Sequence, residues 1–92
     1  MIQESTIVQL DDKLAFREVD NKLFLLTFDG RFFEFNSTGA VIVKSIDGKR
    51  DVRELAKLVQ KEFQVDEKRA MSDVIILLNG MKKEGLVHFE DA

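Results

Sequence analysis

The stretch Asp29-Gly30-Arg31-Phe32-Phe33-Glu34-Phe35-Asn36-Ser37-Thr38-Gly39-Ala40 decides the fold. Asp29-Gly30 supplies the positive φ that a tight hairpin turn demands. The five residues that follow hold three phenylalanines and read as a short strand. Asn36 or Ser37 can then accept a hydrogen bond from the first free amides of a helix. A strand that enters by so short a turn and leaves into a helix belongs at a sheet edge. Edge strands present unpaired N–H and C=O groups, which suit the docking of an extended peptide.

Toward the N-terminus the pattern stays strand-like. Leu14-Ala15-Phe16-Arg17-Glu18-Val19 and Leu23 to Phe28 are separated by Asp20-Asn21-Lys22, a turn-like run. Short turns make neighbours antiparallel, so Leu14 to Phe35 is predicted to form a three-stranded meander. The middle strand, Leu23 to Phe28, is apolar on both faces, as a central strand requires. Residues Thr6 to Leu10 read either as a further short strand or as an arm.

Beyond Asn36 the period becomes helical. A first helix is predicted from Ser37 to Ile46, stopped at Asp47-Gly48. Val41, Ile42, Val43 and Ile46 are weak helix formers alone, so tertiary burial must hold this segment. Asp51-Val52-Arg53-Glu54 opens a second helix with an Asp version of the capping box. Its apolar face is Val52, Leu55, Ala56, Val59 and Phe63. Asp66 caps a third helix from Glu67 to about Glu84, ended by Gly85, after which Leu86-Val87-His88-Phe89 returns as a short extended segment.

Projected at about 100° per residue, Ala70, Val74, Leu77, Leu78 and Met81 form one stripe of the third helix and should face the core. Ile75 and Ile76 fall outside it, with Ile76 on the side of Arg69, Asp73 and Gly80. One buried face does not require both isoleucines. Either the helix is wedged between two surfaces, or it keeps an apolar groove for a partner.

Composition narrows the function. A 92-residue chain that is 45% hydrophobic and 34% charged makes one globular domain rather than a disordered segment. No apolar run approaches the ~20 residues of a membrane span. Met1-Ile2-Gln3-Glu4-Ser5 lacks the character of a signal peptide, so a cytoplasmic location is expected. The absence of cysteine and the single histidine, His88, leave no nucleophile–base pair and no zinc set. No enzyme, metal or cofactor is expected. A net charge of −3 weighs against nucleic acid as a partner. Phe33 and Phe35 read first as core residues on one strand face, Asp73 as a solvated or Arg69-paired acid, and His88 as a surface or strand position.

The order of these pieces is similar to a known family. The run from Gly30 to Phe35 with Asn36, Thr38, Gly39 and Ala40 is followed by Asp47-Gly48, Val52 with Glu54-Leu55-Ala56, and Phe63. Val65-Asp66, Asp73-Val74, Leu78, Met81 and Gly85-Leu86 complete the pattern. Together they resemble the PqqD-like family, the leader-peptide recognition domains of ribosomal-peptide modification pathways. The likeness covers about residues 14 to 87. The chain departs from many relatives at Val43 or Lys44, where they carry Trp or another large residue.

The resemblance implies an α+β, winged helix-turn-helix-like fold, with a three-stranded antiparallel sheet followed by three α-helices. It implies a single recognition domain over residues 1–92, with 1–13 an arm or extra strand. It also implies capture of a precursor leader peptide as an added strand between Arg31–Phe35 and the helix Glu67–Glu84. On that footing the backbone of Arg31, Phe33 and Phe35, or of Phe32 and Glu34, would pair with the peptide. Phe32 or Phe33 and Ile76 would anchor apolar side chains, and Asp73 would lie beside them. Gly80 would allow close approach, while Arg69, Lys82 and Lys83 would select acidic residues. The implied partner is a modifying enzyme, either a radical SAM enzyme or a lasso-peptide protease and cyclase. A winged-helix DNA-binding regulator and a generic interaction or dimerisation module are the alternatives. Self-pairing into a homodimer, through an open edge or an exchanged arm, stays open.

Overall fold

Residues Thr6–Leu10 form a strand, β1, whose partner is the strand at the other end of the chain. A computed structural model describes residues 2–91, so Met1 and Ala92 at the ends of the expected domain lie outside the described residues. The remaining elements are β2 (Leu14–Val19), β3 (Lys22–Thr27), β4 (Phe32–Phe35), α1 (Ser37–Ser45), α2 (Val52–Phe63), α3 (Glu67–Lys83) and β5 (Val87–Asp91).

The predicted meander is present, with order β2-β3-β4 and every neighbour antiparallel. Val19 pairs with Lys22, which leaves Asp20-Asn21 as the turn. Asp20 takes φ 56°, in the left-handed region that Asp tolerates better than most residues. The second turn is built differently. Gly30, at φ 88°, donates its amide to the Thr27 carbonyl at 3.1 Å. The Thr27 hydroxyl accepts the Arg31 amide at 2.8 Å and donates to the Asp29 carboxylate. The central strand therefore runs Lys22–Thr27 rather than Leu23–Phe28, and β4 starts at Phe32 rather than Arg31. Phe28 leaves the sheet for the turn and is 90% exposed.

Leu23, Leu25 and Phe35 point from the sheet into a core shared with all three helices. Ile42 and Val43 are buried there, which supplies the packing that their poor helix propensity requires. Ile46, expected as the last helical residue, is buried in extended backbone just past the helix end. Val52, Leu55, Ala56 and Val59 of α2 and Ala70, Val74, Leu78 and Met81 of α3 complete it. Fully burying one leucine such as Leu55 contributes about 1.5–3 kcal/mol. The capping box forms in full: Asp51 accepts the Glu54 amide at 2.9 Å and Glu54 accepts the Asp51 amide at 3.1 Å.

The strand reading of Thr6–Leu10 holds. β1 and β5 form a separate two-stranded antiparallel sheet, with Thr6 opposite Asp91 and Leu10 opposite Val87. Val8 is fully buried, and its carbonyl accepts the Gly48 amide at 3.1 Å. The N-terminal segment thus fastens to the α1–α2 connection and to β5, and takes no place beside β4. The fold is α+β, a three-stranded sheet followed by three helices as predicted, with the β1–β5 pair added. No helix among the described residues is long and apolar enough to cross a membrane.

Candidate functional site

β4 has β3 on one side and, among the described residues, no strand on the other. The turn decides which backbone groups face the open side. The Thr27 amide donates to the Arg31 carbonyl at 2.9 Å, so the Arg31 backbone points inward to β3. Antiparallel strands alternate this direction residue by residue. With Leu25 opposite Phe33 and Leu23 opposite Phe35, those two residues also direct their backbone groups to β3. Phe32 and Glu34 therefore turn their N–H and C=O groups to the open edge. Of the two expected sets, Arg31, Phe33 and Phe35 are already engaged.

Side chains follow the same alternation. Phe35 is 8% exposed and belongs to the core, so it offers a ligand nothing. Phe33 is half-buried beneath the Arg31 guanidinium, 5.7 Å from its ring centre. Phe32 and Glu34 stand on the outer face of the sheet. Phe32 is 61% exposed and stacks on Phe24 with ring centres 5.3 Å apart, while Glu34 pairs with Lys22 at 3.4 Å.

Helix α3 lies beside this edge. Arg69, Asp73, Ile76, Leu77 and Gly80 recur every three or four residues and form one stripe. Arg69, Asp73, Ile76 and Leu77 line a groove of about 310 Å³ with Asn36, Thr38, Gly39 and Ile42. At the opposite end the Arg31 guanidinium donates to Glu84 at 3.0 Å. β4 and α3 therefore lie side by side and run in opposite directions. Arg69 to Glu84 spans about 22 Å of helix, somewhat more than the extended chain from Arg31 to Asn36, about 17 Å.

Ile76 is 69% exposed at the groove. Ile75, by contrast, packs half-buried on the other flank, near Met71 and Glu4. Ile76 borders both the groove and that flank, whereas Ile75 packs partly against the core. Leu77, expected in the buried stripe, is half-buried and lines the groove instead. Asp73 pairs with Arg69 at 3.9 Å. A side-chain carbon at Gly80 would meet nothing within 4 Å, so the helix is open to approach there. Lys83 is exposed at the helix end.

Two expected roles change. Lys82 places its ammonium 5.5 Å above the Phe89 ring and so faces β5 rather than the groove. Arg31, expected to pair with the peptide through its backbone, instead turns that backbone to β3, while its side chain, held by Asp29 and Glu84, ties the end of the cleft. The residues missed from the sequence are Asn36, Thr38, Gly39 and Ile42. Asn36 caps α1 by accepting the Gly39 amide at 2.9 Å. A side-chain carbon at Gly39 would lie 3.2 Å from the Phe35 Cβ, so glycine lets α1 start against the end of β4. That close start is what brings α1 to the groove, and the Asn-Ser-Thr-Gly run was its available signal. Among the described residues no three potential metal ligands cluster.

Comparison with known proteins places this architecture. The chain has 18% identity to TbiB1, solved in complex with the TbiA(beta) leader peptide, with TM-score 0.79 over 87% of this chain and 94% of that one. Lasso peptide synthetase B1, complexed with the leader peptide, gives 22% identity and TM-score 0.77 over 88% and 96%. The PqqD truncation of Methylobacterium extorquens PqqCD gives 20% identity and TM-score 0.81 over 96% and 95%. That domain is described as a functional, stand-alone recognition element for ribosomally synthesised and post-translationally modified peptides. No curated protein matches the chain at a significant level. The family model for coenzyme PQQ synthesis protein D (PqqD) matches residues 5–87. The match takes in all but the two ends of the chain, which belongs to the PqqD family.

Proposed function

We propose that the chain is a non-catalytic peptide-binding module. It captures the leader segment of a ribosomally synthesised precursor as a strand added to β4, and delivers the remainder to a modifying enzyme. The observation that carries this reading is the free edge of Phe32 and Glu34 lying alongside the α3 groove. Two proteins of similar fold were solved with leader peptides, which supports the same reading.

Energetics require both halves of the site. Phe32 and Glu34 offer four ladder bonds, each contributing about 0.5–1.5 kcal/mol net. Micromolar binding needs about 8 kcal/mol. Burial of apolar peptide side chains against Ile76 and Leu77, at about 1.5–3 kcal/mol each, supplies the difference. Arg69 and Lys83 favour acidic residues at the rim, Asp73 orients Arg69, and Gly80 admits the peptide close to the helix. The chain acts in the cytoplasm as one module, raising the local concentration of the precursor core beside its enzyme. A radical SAM enzyme or a lasso-peptide protease and cyclase fits that role.

Fluorescence polarisation tests it, with labelled N-terminal segments of short peptides encoded beside this gene as probes and random duplex DNA at low salt as the control. Saturable micromolar binding of one segment, without a DNA complex, is expected. DNA binding without peptide binding would transfer the assignment to a winged-helix regulator.

A further inference from the structure

Phe32 serves two surfaces at once. Its backbone faces the open edge, while its side chain lies on the face of the sheet turned away from α3. That outer face is unusually apolar. Phe32, Leu26 and Val19 are exposed there, and Phe24, Leu26, Phe32, Ala15 and Arg17 line a depression of about 350 Å³. The apolar strip ends at the Lys22–Glu34 ion pair, two residues further along β4. Apolar patches of this kind mark binding surfaces, and the occupant follows from sheet geometry. Cross-strand neighbours share a face, so the added residue opposite Phe32 must rest on this shelf. The residue next to it must turn to the α3 groove, and the one after that returns to the outer face beside Glu34.

We infer that the captured segment is read on both faces of the enlarged sheet. It carries a large apolar residue against the Phe24–Phe32 shelf, an adjacent apolar residue toward Ile76 and Leu77, and a polar residue opposite Glu34. Phe32 is then a specificity-determining residue that acts outside the cleft. This inference rests on the proposed strand addition to β4.

A phage-displayed library of random dodecapeptides selects the probes, and calorimetry measures the best binder as a free peptide. Phe32→Thr is the protein variant, since the position is exposed and Thr keeps strand propensity. Selected peptides are expected to contain two adjacent large apolar residues. Replacing the outer one by Ser should weaken binding to the native protein roughly tenfold, the equivalent of one buried apolar side chain. The same replacement should change binding to Phe32→Thr by less than about twofold. Equal losses in both proteins at every peptide position would overturn the inference. N-methylation of alternate peptide amides separates it from the underlying reading, because a ladder-paired peptide loses binding. If N-methylation has no effect, or the library yields no binder, strand addition fails and the inference fails with it. If N-methylation abolishes binding but no position couples to Phe32, only the inference fails.

Discussion

Arg31 donates to Glu84 at 3.0 Å, tying the threshold of β4 to the end of α3 between residues 53 apart in sequence. Both side chains are about half exposed, so the pair contributes little alone. Glu84→Ala should lower stability by about 0.2–1 kcal/mol in urea titration. Arg31→Ala should cost more, roughly 1–2 kcal/mol, because the guanidinium also pairs with Asp29 and covers Phe33. Equal effects of the two substitutions would show that the Asp29 pair and the Phe33 contact add nothing to the Glu84 tie.

Ile76 and Phe35 should respond in opposite ways. Ile76→Asp adds a charge to an exposed groove position, so the circular dichroism spectrum and melting temperature stay native while peptide affinity falls at least tenfold. Phe35→Ala empties a buried site and should cost about 3–5 kcal/mol, with unfolding preceding any loss of binding. Unchanged peptide affinity in Ile76→Asp would reject the groove.

Acid should loosen the β3–β4 turn. The Thr27 hydroxyl, and then Arg31, hold the Asp29 carboxyl below its ordinary value of 3.8. A depressed pKa means that the folded state favours the ionised form. Its contribution is complete above the unfolded value and is lost as pH falls through the folded one. Asp29→Asn removes that dependence, so the gap in melting temperature between the two proteins should narrow as pH drops from about 5 to about 2.5. Asp11 and Asp47, lowered by His88 and by the Arg50 and Lys49 amides, titrate in the same direction in both proteins. A gap that stays constant with pH would show that the carboxylate does not hold the turn.

Loss of the α2 cap should be visible in stability alone. Asp51→Ala leaves the Glu54 amide unbonded at a helix start and should cost about 0.5–2 kcal/mol. Asp51→Ser, which retains an acceptor, should recover most of that. Chemical denaturation of the three proteins checks the order.

Local chemistry was legible in the sequence and long-range geometry was not. The three helices, their caps at Asn36, Asp51 and Asp66, and the meander follow from residues within a few positions of one another. The partner of β1 lies at the opposite end of the chain, and nothing within Thr6–Leu10 names it. The register of β4 depended on a turn held by the Thr27 hydroxyl, which pushed Phe28 out and started the strand one residue late. That one residue decides which backbone groups are free. In the site, the 3.6-residue period placed Arg69, Asp73, Ile76 and Gly80 on one face of α3. It gave no account of α1 closing the groove, because that depends on Gly39 meeting Phe35. The direction of Lys82 was likewise set by Phe89, a residue of another element.

Pairing of Thr6 with Asp91 brings the first and last strands to the same margin of the molecule. An appended domain therefore pivots from one place whether it is joined ahead of β1 or behind β5. A short linker between those strands would also make a circular permutant opened at Asp20-Asn21 feasible without cutting the β3–β4 hairpin.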